Sequence, residues 1–235
     1  MQSNEGTTNS GIEVAWEDVV RFLRQLSHDV RNHLNAVELQ SAFLAELAAD
    51  DELKEEVRRL RKMVSDTATA LQKLTTRLNP PGPNLITYSA SDFMEDLRTA
   101  VKTEFPKQAD AIQWKLNVGQ QTDVQMDPML LRDAVLEVLR NAIEHQPAGS
   151  SLRFIGNTEG DNLVLTLYEP KTDFDLPTDN WGREPLRRVN RGHYGLGLNR
   201  ARMIIEGQGG TLQAQYDPEQ SGLITTIQLP FRARE

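Results

Sequence analysis

"LKEEVRRLRKMVSDTATALQKLTTRL", residues 53–78, sets Leu53, Val57, Leu60, Val64, Thr67, Leu71, Leu74 and Leu78 at alternating steps of four and three. That spacing is the seam of a coiled-coil helix, whose apolar stripe keeps returning to one side. Upstream, Val19, Leu23, Leu26, Val30, Leu34, Val37, Leu44 and Leu47 recur at the spacing of a second long amphipathic helix, from about Trp16 to Ala48. The acidic break "AADDEL" between them is short, so the helices fold back as an antiparallel hairpin. One hairpin has too little surface to bury both stripes; dimerisation into a four-helix bundle is the economical solution.

"NPPGPN", residues 79–84, ends the second helix, because proline lacks an amide donor and disfavours helical geometry before it. It reads as a linker between a helical domain at 16–78 and a second domain at 85–235, with 1–15 a polar tail that has no face to bury. The second domain is mixed. Strands are predicted near 85–88, 112–118 and 122–125, with helices at 91–105, 128–145 and about 196–206. "SLRFIGN" and "NLVLTLYE" flank the turn "TEGD", and "TLQAQYD" with "GLITTIQLPF" forms a closing hairpin. The fold class is α+β.

With no cysteine in 235 residues, disulfides, thiolate zinc sites and cysteine nucleophiles are excluded. A net charge of −8 argues against a phosphate-backbone binder, so nucleic acid is not expected as a partner. No run of eighteen apolar residues and no leader-like start occur, which predicts a soluble cytoplasmic chain without a membrane partner.

"LSHDVRNHLNAVEL", residues 26–39, holds His28 and His33. Five residues apart on a helix, they are separated by roughly 140° and cannot readily share a metal. Arg24, His28, Asn32 and, more loosely, Asn35 line a polar face, with Asp29 alongside. A neutral imidazole there is a nucleophile whose ring Asp29 can orient and whose proton it can take, while Asn32 can position a water or phosphoryl oxygen. The plainer alternative is an exposed histidine on an ordinary charged face. His33, beside Leu34, reads as a partly buried core histidine.

In "DPMLLRDAVLEVLRNAIEH", Glu137 and Asn141 lie one turn apart on a helix, a spacing able to hold magnesium with waters and bridge it to phosphates. In "RGHYGLGLNRARMIIEGQGGTLQ", Gly195 and Gly197 open an apolar helix whose free amides can meet phosphate oxygens. Each pattern alone is also common on ordinary helices.

Together these segments resemble, over nearly all of 16–233, the two-component sensor histidine kinases. "LSHDVRNHLNAVEL" is similar to their phosphoacceptor box, "LEVLRNAIEH" to the asparagine box of the GHKL ATPase superfamily, and "YGLGLNRARMIIEGQGG" to its second glycine box. The resemblance implies a dimeric helical hairpin followed by an α/β-sandwich ATP-binding domain. It makes His28 the phosphorylated residue, Asp29 its acidic partner and Asn32 the residue that helps hydrolyse phospho-aspartate. It makes Asn141 a magnesium ligand through the nucleotide, sets Glu137 beside it, and lines the triphosphate with Gly195 and Gly197. The implied cofactors are ATP and Mg2+; the implied partners are a second copy and a response-regulator receiver. His33 stands where the family has proline.

One box departs. The Asp-x-Gly-x-Gly expected after "NLVLTLY" is replaced by "EPKTDFD", in which Glu169 takes the place of the adenine-binding Asp and no glycine follows. The loop beyond carries Arg183, Arg187, Arg188 and Arg191, able to meet a triphosphate or an acidic partner. Three functions are compatible: a kinase autophosphorylating on His28 and passing the group to a receiver aspartate; a histidine phosphotransferase relaying phosphate between receivers with a retired nucleotide site; and a pseudokinase scaffold without phosphotransfer. No sensor domain is recognisable in the sequence, which predicts that input comes from a separate protein.

Overall fold

The computed structural model describes residues 15–48, 50–78, 82–119, 122–147, 149–172, 174, 177–179, 181–183 and 195–231. The chain divides into two compact units, Met1–Asn79 and Pro80–Glu235. The tail expected at 1–15, all but its last residue, lies outside the described residues, as do 79–81 of the linker and Arg187, Arg188 and Arg191.

The first unit is α1 (Trp16–Leu47) and α2 (Asp51–Leu78). So short a connection forces the helices antiparallel, and Arg61 on α2 reaches Glu38 on α1 through Nε at 2.9 Å and Nη2 at 2.7 Å. The predicted seam of α2 splits by register. Val57, Val64 and Leu78 are buried and Leu71 is half-buried, seven residues apart in turn, whereas Leu53, Leu60 and Thr67 in the alternate register stay exposed.

On α1 the inward register is Val20, Ser27, Leu34, Ser41 and Ala48, buried except for half-buried Leu34. Its small residues let the helix backbones approach. Of the rest of the apolar pattern, Val19, Leu23 and Val30 are half-buried, while Leu26, Val37, Leu44 and Leu47 are exposed, together with Phe22 and Phe43. His33 corrects the sequence expectation. It falls in the register of Leu26 and Leu47, not in the inward one, and it is exposed instead of lying in the core. The helix runs through it without a break.

The second unit runs β1 (Ile86–Ser89), α3 (Ala90–Glu104), a 3-10 turn at Ala109–Ala111, β2 (Ile112–Asn117), β3 (Asp123–Met126), α4 (Pro128–His145), β4 (Leu152–Glu159), β5 (Asn162–Pro170), α5 (Gly197–Gly207), β6 (Thr211–Asp217) and β7 (Gly222–Pro230). Five strands form one sheet in the order β2-β4-β5-β7-β6, and β1 pairs only with β3. β2 lies parallel to β4, because α4 carries the chain across the sheet between them. The remaining pairs of the large sheet are antiparallel.

Period-two burial sets the sheet's inner face. Leu152 and Phe154 of β4, Leu163, Leu165 and Leu167 of β5, Leu212 of β6 and Ile227 and Leu229 of β7 pack against the buried sides of α3, α4 and α5. That is an α/β sandwich. α4 begins where Asp127 caps it, accepting the Leu130 amide at 3.0 Å, with Pro128 at the first helical position. The second Asp127 oxygen accepts the Asn84 amide at 2.9 Å, and the Asp127 amide donates to Gln208 at 2.7 Å. The root of α4 is thereby tied to the chain entering the unit and to the end of α5.

Candidate functional site

The first group of candidate residues sits in the middle of α1. The His28 side chain is 66% exposed, on the side away from buried Ser27. Its Nδ1 lies 3.2 Å from Asp29 Oδ1 and 3.4 Å from the Asn32 amide nitrogen. Asp29 is itself held, accepting a 2.8 Å bond from Gln25 on the preceding turn. Helical spacing at i−4, i, i+1 and i+4 relative to Asp29 and His28 builds this arrangement without any partner from α2. One ring nitrogen is engaged locally, and Nε2 is the nitrogen left to face a reactant. The structure thus brings His28, Asp29 and Asn32 together as the sequence predicted.

The second group lies along α4 and the elements beside it. Glu137, Asn141 and His145 follow one another at i, i+4 and i+8. Glu137 meets the start of α5: a Cβ built on Gly197 would stand 2.6 Å from Glu137 Oε2, so any side chain there would push the carboxylate aside. Gly195, two residues earlier, has φ of +63°, the left-handed conformation that glycine adopts without penalty. Of the two glycines predicted to line a phosphate site, Gly195 is favoured by its backbone conformation and Gly197 by the Glu137 carboxylate beside it. The Glu137 carboxylate is also bound 2.6 Å from Arg140 Nη1, and Arg140 in turn reaches Glu104 at the end of α3.

Asn141 is half-buried one turn further on, and its side chain has no hydrogen-bond partner among the described residues. An amide oxygen in that position fits a magnesium ion that arrives with a nucleotide's phosphates. No cluster of three or more His, Asp or Glu among the described residues could hold a metal by itself. The ion would therefore take most of its ligands from phosphate and water.

Glu169 ends β5 in the same period-two series as Leu163, Leu165 and Leu167, so its side chain points to the helix side of the sheet and is 3% exposed. Lys171 shares that parity. Its ammonium lies 2.5 Å from Glu169 Oε1 and donates a 2.7 Å bond to the backbone oxygen of His145, at the C-terminus of α4. Burial pushes the Glu169 carboxyl above its ordinary value of 4.5, and the neighbouring Lys171 charge pulls the other way. The Lys171 backbone is fastened too: its amide donates to Ser221 at 2.8 Å, and its oxygen accepts from the Tyr216 hydroxyl at 3.3 Å.

Sequence reasoning picked out Glu169 but took Lys171 only as a missing glycine. The available signal was parity: a carboxylate in the inward series of a strand needs a cation, and the residue two further on faces the same way. It also missed Arg202. This buried arginine donates to the Trp181 and Leu212 backbone oxygens and to Glu206, pinning the start of the arginine-bearing loop to α5. Arg183, the one loop arginine described, lies 3.5 Å from Glu206.

No protein-family model matches the chain. Among known proteins it is similar to the sensor protein SphS of Synechococcus elongatus, 27% identical in an alignment 230 positions long that covers 89% of this chain and 54% of that protein. It is 29% identical to the sensor protein PfeS of Pseudomonas aeruginosa over 90% of this chain and 47% of that protein. The chain spans about half the length of the curated relatives it matches. Among solved structures, full-length ShkA in complex with AMPPNP aligns over 91% of this chain and 46% of its own, with TM-score 0.60 and 18% identity. The Acinetobacter baumannii histidine kinase AdeS aligns over 87% of this chain and 98% of its own, with TM-score 0.51 and 19% identity. The fold is that of a histidine kinase's helical hairpin and catalytic domain, and the resemblance to two-component sensor kinases is supported along nearly the whole chain.

Two outcomes follow. Gly197→Ala forces the Glu137 carboxylate, the end of a flexible side chain, to move, and should change stability by no more than about 1 kcal/mol in urea unfolding. For Glu169, a folded-state value raised above the unfolded one means that its contribution is fully present below 4.5 and is lost as pH rises through the raised value. The stability of wild type relative to Glu169→Gln, measured by urea unfolding across that range, should fall with rising pH and then level off.

Proposed function

We propose that the chain is the phosphoacceptor and catalytic part of a two-component sensor kinase, in which ATP phosphorylates His28 and His28 passes the group to an aspartate on a response-regulator receiver. The observation that carries this reading is the His28 geometry: an exposed imidazole whose Nδ1 is engaged by Asp29. The comparisons support it, since the relatives are sensor kinases and ShkA was solved with AMPPNP; none of them points to the relay or scaffold functions.

With the Nδ1 proton directed at Asp29, the Nε2 lone pair attacks the γ-phosphorus. An N–P bond forms, the bond from phosphorus to the β–γ bridging oxygen breaks, and ADP leaves. The ring becomes cationic, and the Asp29 carboxylate stabilises it or takes the Nδ1 proton. In the second step a receiver carboxylate oxygen attacks phosphorus, the N–P bond breaks and its electron pair returns to Nε2. Asn32, at the same ring, is the candidate to orient water when the receiver's acyl phosphate is hydrolysed. In the second unit Gly195, Gly197 and the first amides of α5 take the triphosphate, while Glu169 meets the adenine amino group. Magnesium bound through Asn141 would neutralise phosphate charge. ATP as donor puts this chemistry in the cytoplasm, and among the described residues no helix is long and apolar enough to cross a membrane.

The open register of the hairpin supports a homodimer. Leu26, Leu44, Leu47, Leu53, Leu60 and Met63 are exposed along its length, more apolar surface than an isolated hairpin leaves in water. A second copy covers it as a four-helix bundle.

Incubation with γ-labelled ATP and magnesium should label the protein with the acid-labile, alkali-stable linkage of phosphohistidine, and His28→Ala should remove the label. Asp29→Asn should slow labelling by about 10²-fold or more while folding is unchanged by circular dichroism. Labelling that persists in His28→Ala would overturn the assignment. In sedimentation equilibrium the wild type should run as a dimer, and Leu53→Glu, distant in sequence from His28, should shift it towards monomer; an unchanged dimer would show that the open register is not the interface.

A further inference from the structure

Glu137 and His145 are separated by about 12 Å along the axis of α4. At the first lies the glycine-opened start of α5; at the second lies the buried pair of Glu169 and Lys171. On the reading that a nucleotide's phosphates meet Gly197, its base would run along this helix towards Glu169. There, however, a donor is already in position. Lys171, 14% exposed, donates to the last turn of α4, whose dipole favours a cation, and sets its charge 2.5 Å from Glu169 Oε1 as an ion pair. Its backbone is fixed on both sides, and the bond to the His145 oxygen holds the ammonium beside the carboxylate.

We propose that Lys171 is an internal occupant of the base end of the nucleotide site. Its ammonium stands at the Glu169 carboxylate where the exocyclic amino group of a purine would stand, so a 6-aminopurine nucleotide binds only by displacing it. The lysine is a built-in competitor that holds resting affinity low, and anything that draws Lys171 away from Glu169 raises it. This rests on the reading that the second unit takes ATP.

The test is calorimetric titration of the full chain with Mg-ATP and with Mg-purine riboside triphosphate, which lacks the 6-amino group. Removing one charge-assisted competitor should tighten Mg-ATP binding about tenfold in Lys171→Ala. The gain should be absent with the purine riboside nucleotide. Because Lys171→Ala leaves a buried carboxylate without its cation, the double variant Glu169→Gln with Lys171→Ala, which keeps an acceptor but no charge, is measured beside it and should show the same selective gain. If wild type binds Mg-ATP as tightly as both variants, or more tightly, the competitor is disproved while the ATP reading stands. If neither wild type nor the variants bind any nucleotide although all are folded, both ideas fail, and any phosphate on His28 has another source than ATP.

Discussion

Helix α4 has to be buried on most of its circumference, and the second unit is built around that requirement. Leu131, Ala134, Val135, Val138, Leu139 and Ala142 are almost wholly removed from water between the sheet and the neighbouring helices. Only a narrow strip is spared, and Glu137 and Asn141 stand on it. Because the helix is capped by Asp127 and tied through Gln208 to the end of α5, the strip keeps a fixed relation to Gly195 and Gly197. The polar groups are positioned by apolar packing, which tolerates little movement.

In the hairpin the same logic works with less material. Each helix has two apolar registers, and one hairpin satisfies only one of them. The inward register uses Ser27, Ser41 and Ala48, small enough for the helices to approach closely, and leaves the bulkier leucines outside. His28 follows directly after Ser27 in the inward register, and so turns away from α2 onto the polar side. Its partners Asp29 and Asn32 come from the same helix, and therefore the His28 arrangement needs no contribution from another chain.

Much of this was legible in the sequence, for reasons that differ by element. The heptads of α2 and the capped, proline-opened start of α4 are local signals. Helix, break and helix could be read from them directly. The His28 constellation was legible because all its members lie within one turn. Long-range pairings were not: nothing in "IQWKLN" announces that β2 lies parallel to β4, and nothing in "ITYS" that β1 pairs with β3 apart from the main sheet. His33 was misread because an apolar neighbour, Leu34, was taken to mark its face, whereas a single step around the helix moves a side chain by about 100° and into the open register. Arg202 was passed over because a polar residue in an amphipathic helix normally faces water; here backbone oxygens of a loop and a strand supply its partners.

The "EPKTDFD" segment shows how a lost motif acquires a different physical meaning. Without glycines the chain after β5 cannot lie flat beside a ligand, and side chains must go somewhere. Parity sends Glu169 and Lys171 inward together. A buried carboxylate alone would be costly, and a buried pair contributes less than apolar residues of the same volume would. What the pair supplies is position: a carboxylate aimed at the end of α4, with a cation whose removal exposes it. The carboxylate that the family resemblance assigns to adenine is thus retained in this chain together with its own internal substitute for adenine's amino group, and the strength of the Lys171 contact sets how far a nucleotide must compete for the site.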